Sequence, residues 1–325
     1  MTSHSSLAEG QPSASVLPVG QEHEGGRADC AVVVVTYNSA GDIAGLLDSL
    51  PAAAPGLTIR AIVVDNGSTD GTVELVRSRP DATCVQTGAN LGYAGGINVG
   101  RSHAGDHAAL LVLNPDAQLE AGALREMFAA LADPDVGIAV PMLLDAAGQR
   151  LPSLRREPTL MRAIGDGVLG GRISRRPGGL SEMVWHEKAY RYRHPVDWAT
   201  GAALLVSAAC DRAVGNWDER FFLYSEETDY FARARAAGFR VDYLPSARVR
   251  HRGGGSGRSD ALVALQAVNR VRYMEKHRRW PRLYRLAVAL HELLRAGNPG
   301  HRRALRAVLR RSSWESFQRG LQASN

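Results

Sequence analysis

The sequence predicts an α/β fold built on a mostly parallel sheet, and three observations point to it. From residue 30 onward, short β-branched runs alternate with helical stretches. Polar, turn-forming clusters follow the first strand-like runs, as they do where ligands bind beyond the carboxyl ends of parallel strands. The composition, 45% hydrophobic and 22% charged over 325 residues, is that of an ordinary globular chain and excludes wholesale disorder.

The elements follow in order. Strands are expected at 30–36, 59–64, 83–86 and 109–113, each followed by a helix, at 42–50, 72–79, 94–104 and 121–132. Residues 139–144 and 150–153 flank a glycine-containing turn and read as a hairpin. Residues 154–195, rich in Arg, Gly and Pro with weak periodicity, read as a variable excursion. The alternation resumes with a strand at 196–206, a helix at 226–237 and extended chain at 241–249. After the glycine-rich 253–257, helices are expected at 261–277 and 283–295, separated by Pro281. The resulting partition is an N-terminal disordered arm at 1–28, a catalytic domain at 29–255 and a helical basic region at 256–325.

The longest apolar runs fall far short of the roughly 20 residues that cross a bilayer. Residues 1–28 lack the basic and apolar regions of a signal peptide, so a cytoplasmic location is expected. Three scattered cysteines, Cys30, Cys84 and Cys210, indicate neither a disulfide framework nor a zinc site. Charge is uneven along the chain. Residues 270–325 hold 14 Lys/Arg against three acidic residues, a surplus of 11, whereas the whole chain carries +6. The body is therefore mildly acidic, and the basic segment points to an anionic surface, membrane or nucleic acid. A solvated face on a packed helical subdomain is the competing reading for 283–294.

Four polar clusters end successive strands: Thr36-Tyr37-Asn38, Asp65 to Asp70, Asn90 to Gly96, and Asn114-Pro115-Asp116. Any one of them is an ordinary turn composition; four in register mark a ligand site. Neither a GxxxxGK loop nor a GxGxxG spacing is present, which disfavours kinase and dehydrogenase chemistry. A nucleotide site without a lysine cradle calls for a metal to meet the phosphate charge. Asp116 suits that role, because Mg²⁺ and Mn²⁺ take hard oxygen ligands and share them with phosphates.

Taken together, Val33 to Asn38, Val64 to Thr72, Asn90 to Asn98 and Leu113 to Asp116 resemble the inverting family 2 glycosyltransferases of GT-A fold, a Rossmann-like α/β/α sandwich. The likeness is greatest to the rhamnosyltransferase-like branch. It spans roughly residues 30–252 and leaves out the arm and the tail. It implies a nucleotide pocket formed by Thr36, Tyr37, Asn38, Asp65, Asn66, Asn90, Gly92, Tyr93, Gly95, Asn98 and Asn114. Asp65 would accept from the pyrimidine N3–H. Asn114-Pro115-Asp116 stands where the family carries Asp-x-Asp, which leaves Asp116 as the principal metal ligand of that motif. His251 stands where related enzymes supply a histidine to the metal, although alone it reads as a surface residue.

In the same way Glu226-Glu227-Thr228-Asp229 resembles the acidic acceptor-side motif. Glu227 aligns with the catalytic base, Glu226 is the alternative, and a helix-start acidic cluster is the plain reading. Asp197, Trp198, Glu226 and Asp229 are expected on the acceptor side, with core packing the other reading of Trp198. The implied reaction is a metal-assisted single displacement, with a divalent cofactor, Mg²⁺ or Mn²⁺. The donor implied is a nucleoside-diphosphate sugar, dTDP-L-rhamnose first and a UDP-hexose next. A lipid-linked or cell-envelope saccharide is the implied acceptor, at the cytoplasmic face of a membrane to which the basic tail would attach; nucleic acid is not expected. A sugar-1-phosphate nucleotidyltransferase and a non-catalytic membrane-tethered binding protein are the alternatives from other classes.

Overall fold

The structure is a computed structural model that describes residues 15–16, 26–169, 177–253, 259–277 and 280–314. Its first half alternates strand and helix: β1 (Ser15–Val16), β2 (Ala28–Thr36), α1 (Ile43–Ala53), β3 (Thr58–Asp65), α2 (Thr72–Arg77), β4 (Thr83–Gln86), α3 (Gly92–Ser102), β5 (His107–Leu113), β6 (Ala117–Leu119), α4 (Ala123–Ala130) and β7 (Val136–Leu144). The second half carries β8 (Leu154–Arg155), α5 (Leu160–Leu169), β9 (His194–Pro195), β10 (Trp198–Ala199), β11 (Ala203–Ser207), α6 (Ala208–Val214), α7 (Glu226–Ala236), β12 (Arg240–His251), α8 (Asp260–Lys276), α9 (Pro281–Leu294) and α10 (Pro299–Leu309).

The main sheet runs β1-β3-β2-β5-β11-β7-β12-β6, with β4 beside β3 and β9 beside β12. The pairs β2–β3, β2–β5, β3–β4 and β7–β12 are parallel, and β11 enters antiparallel between β5 and β7. Strand β2 shows why the sheet has two covered faces. Its side chains alternate, so that Cys30, Val32 and Val34 pack under α1 and α4, while Ala31, Val33 and Val35 pack under α3 and α7. Both sets are buried, so the strand reads as a continuous apolar run, as a doubly covered parallel strand does.

Several expectations are corrected. The strand expected at 196–206 is two strands in different sheets: β10 pairs with β8, and β11 joins the main sheet. The 139–144/150–153 hairpin is present but short: Asp145 N–H donates to the Gln149 carbonyl and Leu151 N–H to the Leu143 carbonyl, both at 2.8 Å, around a bridge between Leu144 and Arg150, before the chain turns away to place Leu154–Arg155 against β10. The supposed excursion holds α5, which packs into a third core with α8, α9 and α10. Within the arm expected at 1–28, Ser15–Val16 pairs in parallel with Thr58–Ile59, and Ala28 already belongs to β2. Pro281 opens α9 at its first turn, where its missing N–H costs nothing. The glycine-rich stretch beyond Gly253 lies outside the described residues.

Candidate active site

Strands β2, β3 and β5 run parallel, so their carboxyl ends bring Thr36, Asp65 and Asn114 to one edge of the sheet. A cavity of about 720 Å³ opens there. One wall consists of Thr36, Tyr37, Asn38, Asn66, Asn90, Gly92 and Tyr93, a second of Asn114, Pro115, Asp116, His251 and Arg252, and a third of Thr200, Gly201, residues 222–224, Glu226 and Glu227.

The first wall is built by side chains bonding to main chain. Asn66 donates to the Gly92 carbonyl at 2.9 Å, and Asn90 accepts from the Gly92 N–H at 2.9 Å. Asn38 accepts from the Thr69 N–H at 2.8 Å. Gly92 has φ +75°, and a Cβ there would lie 2.4 Å from the Phe222 carbonyl oxygen, so the close approach of α3 to the third wall requires glycine.

Asp65 does not line the cavity. Its carboxylate is buried and accepts from the Thr36 hydroxyl, the Gly67 and Ser68 N–H groups and the Ser68 hydroxyl. Its acceptor capacity is taken up in shaping the loop, where the sequence suggested a contact to a pyrimidine. Asn98 is likewise structural. It bridges Trp217 N–H, Trp217 C=O and Glu219. Gly95 faces Leu91 of its own helix start.

On the second wall, Asp116 Oδ1 lies 3.3 Å from His251 Nε2, and Asn114 Nδ2 lies 3.4 Å from the same nitrogen. The other Asp116 oxygen accepts from the Gly253 N–H at 3.0 Å. Burial opposes ionisation of Asp116, but the His251 contact and main-chain hydrogen bonds, including that from Gly253, together outweigh it and hold the carboxyl below the usual range. One carboxylate oxygen and one imidazole nitrogen at the lip of an open cavity fit a divalent ion that takes its remaining ligands from phosphate and water. Arg252, beside them, pairs with Asp42 at 2.6 Å. Both line the cavity, and the sequence reading left both unassigned.

The third wall carries the two glutamates. Phe222, Tyr224 and Ser225 all have positive φ, at 61°, 70° and 70°. This sparsely allowed backbone turns the chain so that α7 begins at the cavity with Glu226 and Glu227. It is held by Asn269 of α8, whose amide donates to the carbonyls of Phe221, Leu223 and Tyr224. The sequence reading missed Asn269, which no local pattern distinguishes from a polar residue in any helix.

Glu226 is 3% exposed, Glu227 is half-buried, and one oxygen of each is buried without a hydrogen-bond partner. Burial drives both carboxyls upward, and the charge of Glu227 adds to the rise of Glu226. For Glu227 the rise is countered by main-chain hydrogen bonds at the start of α7 and by Arg155. Both are raised, Glu226 the more, so Glu227 is the member of the pair that ionises first. Gly201 gives Glu227 room, since a Cβ there would lie 3.3 Å from the Glu227 Cβ.

Three residues expected on the acceptor side lie elsewhere. Asp229 is fully buried and pairs with Arg233, Lys276 and His277, tying α7 to α8. Asp197 accepts from the Glu157 N–H at 2.7 Å, and the Trp198 indole donates to the Arg156 carbonyl at 2.9 Å while the ring packs on the core under α7. None of the three borders the cavity.

With this geometry in place, comparison with known proteins is informative. A family model described as glycosyl transferase family 2 matches residues 31–191. An N-acetylglucosaminyl-diphospho-decaprenol L-rhamnosyltransferase of Mycobacterium tuberculosis is 33% identical over 264 residues, 77% of this chain and 85% of that protein. The low-salt glycan biosynthesis hexosyltransferase Agl10 of Haloferax volcanii is 29% identical over 66% of this chain and 64% of its own length. Among solved structures, a mannosyltransferase from Pyrobaculum calidifontis in complex with GDP-Man and Mn²⁺ superposes with a TM-score of 0.52 at 18% identity, covering 88% of this chain and 74% of that one. GalNAc-T7 with UDP, GalNAc and Mn²⁺ gives 0.54 at 14% identity over 78% of this chain, which spans about half (48%) of that protein. These two likenesses show a shared GT-A fold.

Proposed function

The chain belongs to glycosyl transferase family 2 and is a glycosyltransferase, and from that premise we propose that it moves L-rhamnose from dTDP-L-rhamnose to a hydroxyl of a lipid-linked saccharide. The M. tuberculosis relative's name supports L-rhamnose as the sugar and a lipid-linked acceptor, and the Haloferax relative's name, a hexosyltransferase, keeps another hexose as the second sugar to try. Membership of this family sets the nucleotidyltransferase alternative aside.

The observation that carries the proposal is a single cavity with two chemically distinct poles, Asp116 with His251 and Glu226 with Glu227. Asp116 and His251 are the residues that would hold Mg²⁺ or Mn²⁺, which when bound neutralises charge on the departing diphosphate. Thr36, Tyr37, Asn38, Asn66 and Asn90 surround the nucleoside, and Asp65 keeps that wall in shape through Thr36 and Ser68. Arg252, released from Asp42, is placed to meet a phosphate oxygen.

Glu227, ionised at the cavity surface, takes the proton of the acceptor hydroxyl as that oxygen attacks the anomeric carbon. Tyr93, whose phenol is kept neutral by burial and by the nearby glutamates and Asp116, stays a hydrogen-bond donor on the first wall. No covalent intermediate is formed, so the anomeric configuration inverts.

The test is transfer from radiolabelled dTDP-L-rhamnose to a polyprenyl-diphosphate-linked N-acetylglucosamine in detergent, with and without Mn²⁺ or Mg²⁺. A metal-dependent product of inverted configuration is expected. Transfer from UDP-hexoses alone would move the donor assignment, and a retained configuration would sink the single displacement.

A further inference from the structure

Among the described residues eleven large hydrophobic side chains are exposed, and all but Tyr192 lie on α5, on α9, at the residue before α9 or at the end of α10. On α9 the inward face carries Tyr284, Ala287 and Val288, while Leu283, Leu286, Leu290, Leu293 and Leu294 face out, with Leu286 63% and Leu294 60% exposed. On α5, Met161, Ile164 and Val168 repeat the pattern at helical spacing. The two helices pack side by side: Gly167 of α5 sits against His291, and Arg295 donates to the Gly167 carbonyl at 3.0 Å. Leucines concentrated in this way are not the scattered exposure of an ordinary surface.

We propose that this face docks in the interfacial region of an anionic lipid bilayer, with the α9 leucines inserted among the acyl chains. The charge around it selects that occupant. Arg282 on α9 and Arg302 and Arg306 on α10 are exposed, and the one acidic residue in 281–309, Glu292, is buried and taken up by His301. A second copy of the chain seated on the leucines would bring one set of arginines toward the other, whereas anionic headgroups complement them. Trp280, 74% exposed at the start of α9, is the residue type that settles at headgroup level. No described helix is long and apolar enough to cross a membrane, so the attachment is to one leaflet. This differs from attachment by a basic tail, which would be electrostatic throughout. It stands whether or not the acceptor is lipid-linked.

Co-sedimentation of the full chain with phosphatidylglycerol–phosphatidylcholine vesicles tests it, at low salt and at about 1 M salt, where the screening length is only about 3 Å. Binding at low salt that largely survives at high salt is expected. Leu286→Glu/Leu290→Glu should lower the partition coefficient at least about tenfold at both salt levels, with melting temperature and slow donor hydrolysis unchanged because both side chains are exposed. Arg302→Gln/Arg306→Gln should weaken only the low-salt binding. Wild-type binding abolished by salt, or a leucine variant that binds like wild type, would overturn the insertion. Absence of vesicle binding together with a wild-type dimer that the leucine variant converts to monomer would assign the face to a second copy instead.

Discussion

Asn269 donates to the Tyr224 carbonyl at 3.0 Å and so connects a helix outside the nucleotide fold to the residue two positions before Glu226. The same amide reaches the carbonyls of Phe221 and Leu223, and its own oxygen accepts from Arg272 at 3.2 Å. Three positive-φ residues in a row of four are thereby fixed by one fully buried side chain. Helix α8 is part of the scaffold of the candidate site.

Asn269→Ala should cost about 1–3 kcal/mol, the range for leaving buried polar groups unpaired, and should lower kcat while donor affinity holds. Asn269→Asp should be worse than alanine, because a carboxylate would face three carbonyl oxygens with nothing to donate. Denaturant melts and steady-state kinetics read both effects; equal, small losses for the two variants would show that the turn holds itself.

Gly92 and Gly71 separate backbone strain from steric contact. Both have positive φ, but a Cβ at Gly71 meets nothing within 4 Å, whereas at Gly92 it meets the Phe222 carbonyl and ring at 2.4 Å. Gly71→Ala should cost about 1–2 kcal/mol. Gly92→Ala should add roughly 1–3 kcal/mol of overpacking and disturb the wall that carries the glutamates. Matched thermal melts decide; indistinguishable values would mean that α3 and the 222–227 turn are free to separate.

These positions show what the sequence made legible. Strand and helix order from residue 28 to 132, apart from the three-residue β6, followed from periodicity, since buried parallel strands read as unbroken apolar runs bounded by turns. The four strand-end clusters converge because parallel strands present the same end. Asp65 and Asn98 bond loops in the structure, a placement the sequence did not show, because a polar residue beside a site serves equally well by facing inward to bond a loop, and spacing does not distinguish the two. Asn269 and Arg252 were missed because their roles depend on contacts with segments 45 and 210 residues away, to Tyr224 and Asp42.

Removing the metal pole should affect binding before chemistry. With Asp116→Asn, the affinity for dTDP in the presence of Mn²⁺ should fall by about 100-fold or more, beyond the roughly 10–100-fold typical of outer-sphere changes, while affinity without metal stays the same. Titration calorimetry with and without chelator measures both. Unchanged Mn²⁺-dependent affinity would remove Asp116 from the site.

The glutamate pair makes opposite predictions for rate and for stability. Glu227→Gln cannot accept a proton, so transfer should fall by about 100-fold or more, in the range of general-base contributions, with donor affinity nearly constant. The acid limb of the wild-type rate profile should lie above the ordinary glutamate range of about 4.3, because burial raises the carboxyl that must ionise. Stability runs the other way. Burial and the charge of Glu227 raise Glu226 well above its unfolded value, so between those two values the folded chain binds more protons than the unfolded one. Its stability is then full below the unfolded pKa and is lost as pH rises through the folded one. Glu226→Gln removes that loss: it should match wild type near pH 4 and melt higher than wild type at pH 8, while keeping substantial transfer activity. A Glu226→Gln enzyme that is dead and a Glu227→Gln enzyme that is active would exchange the two roles and make Glu226 the base. If the Glu226→Gln melt instead tracks wild type across the whole pH range, Glu226 is not the more raised of the pair, and the argument that Glu227 ionises first fails with it.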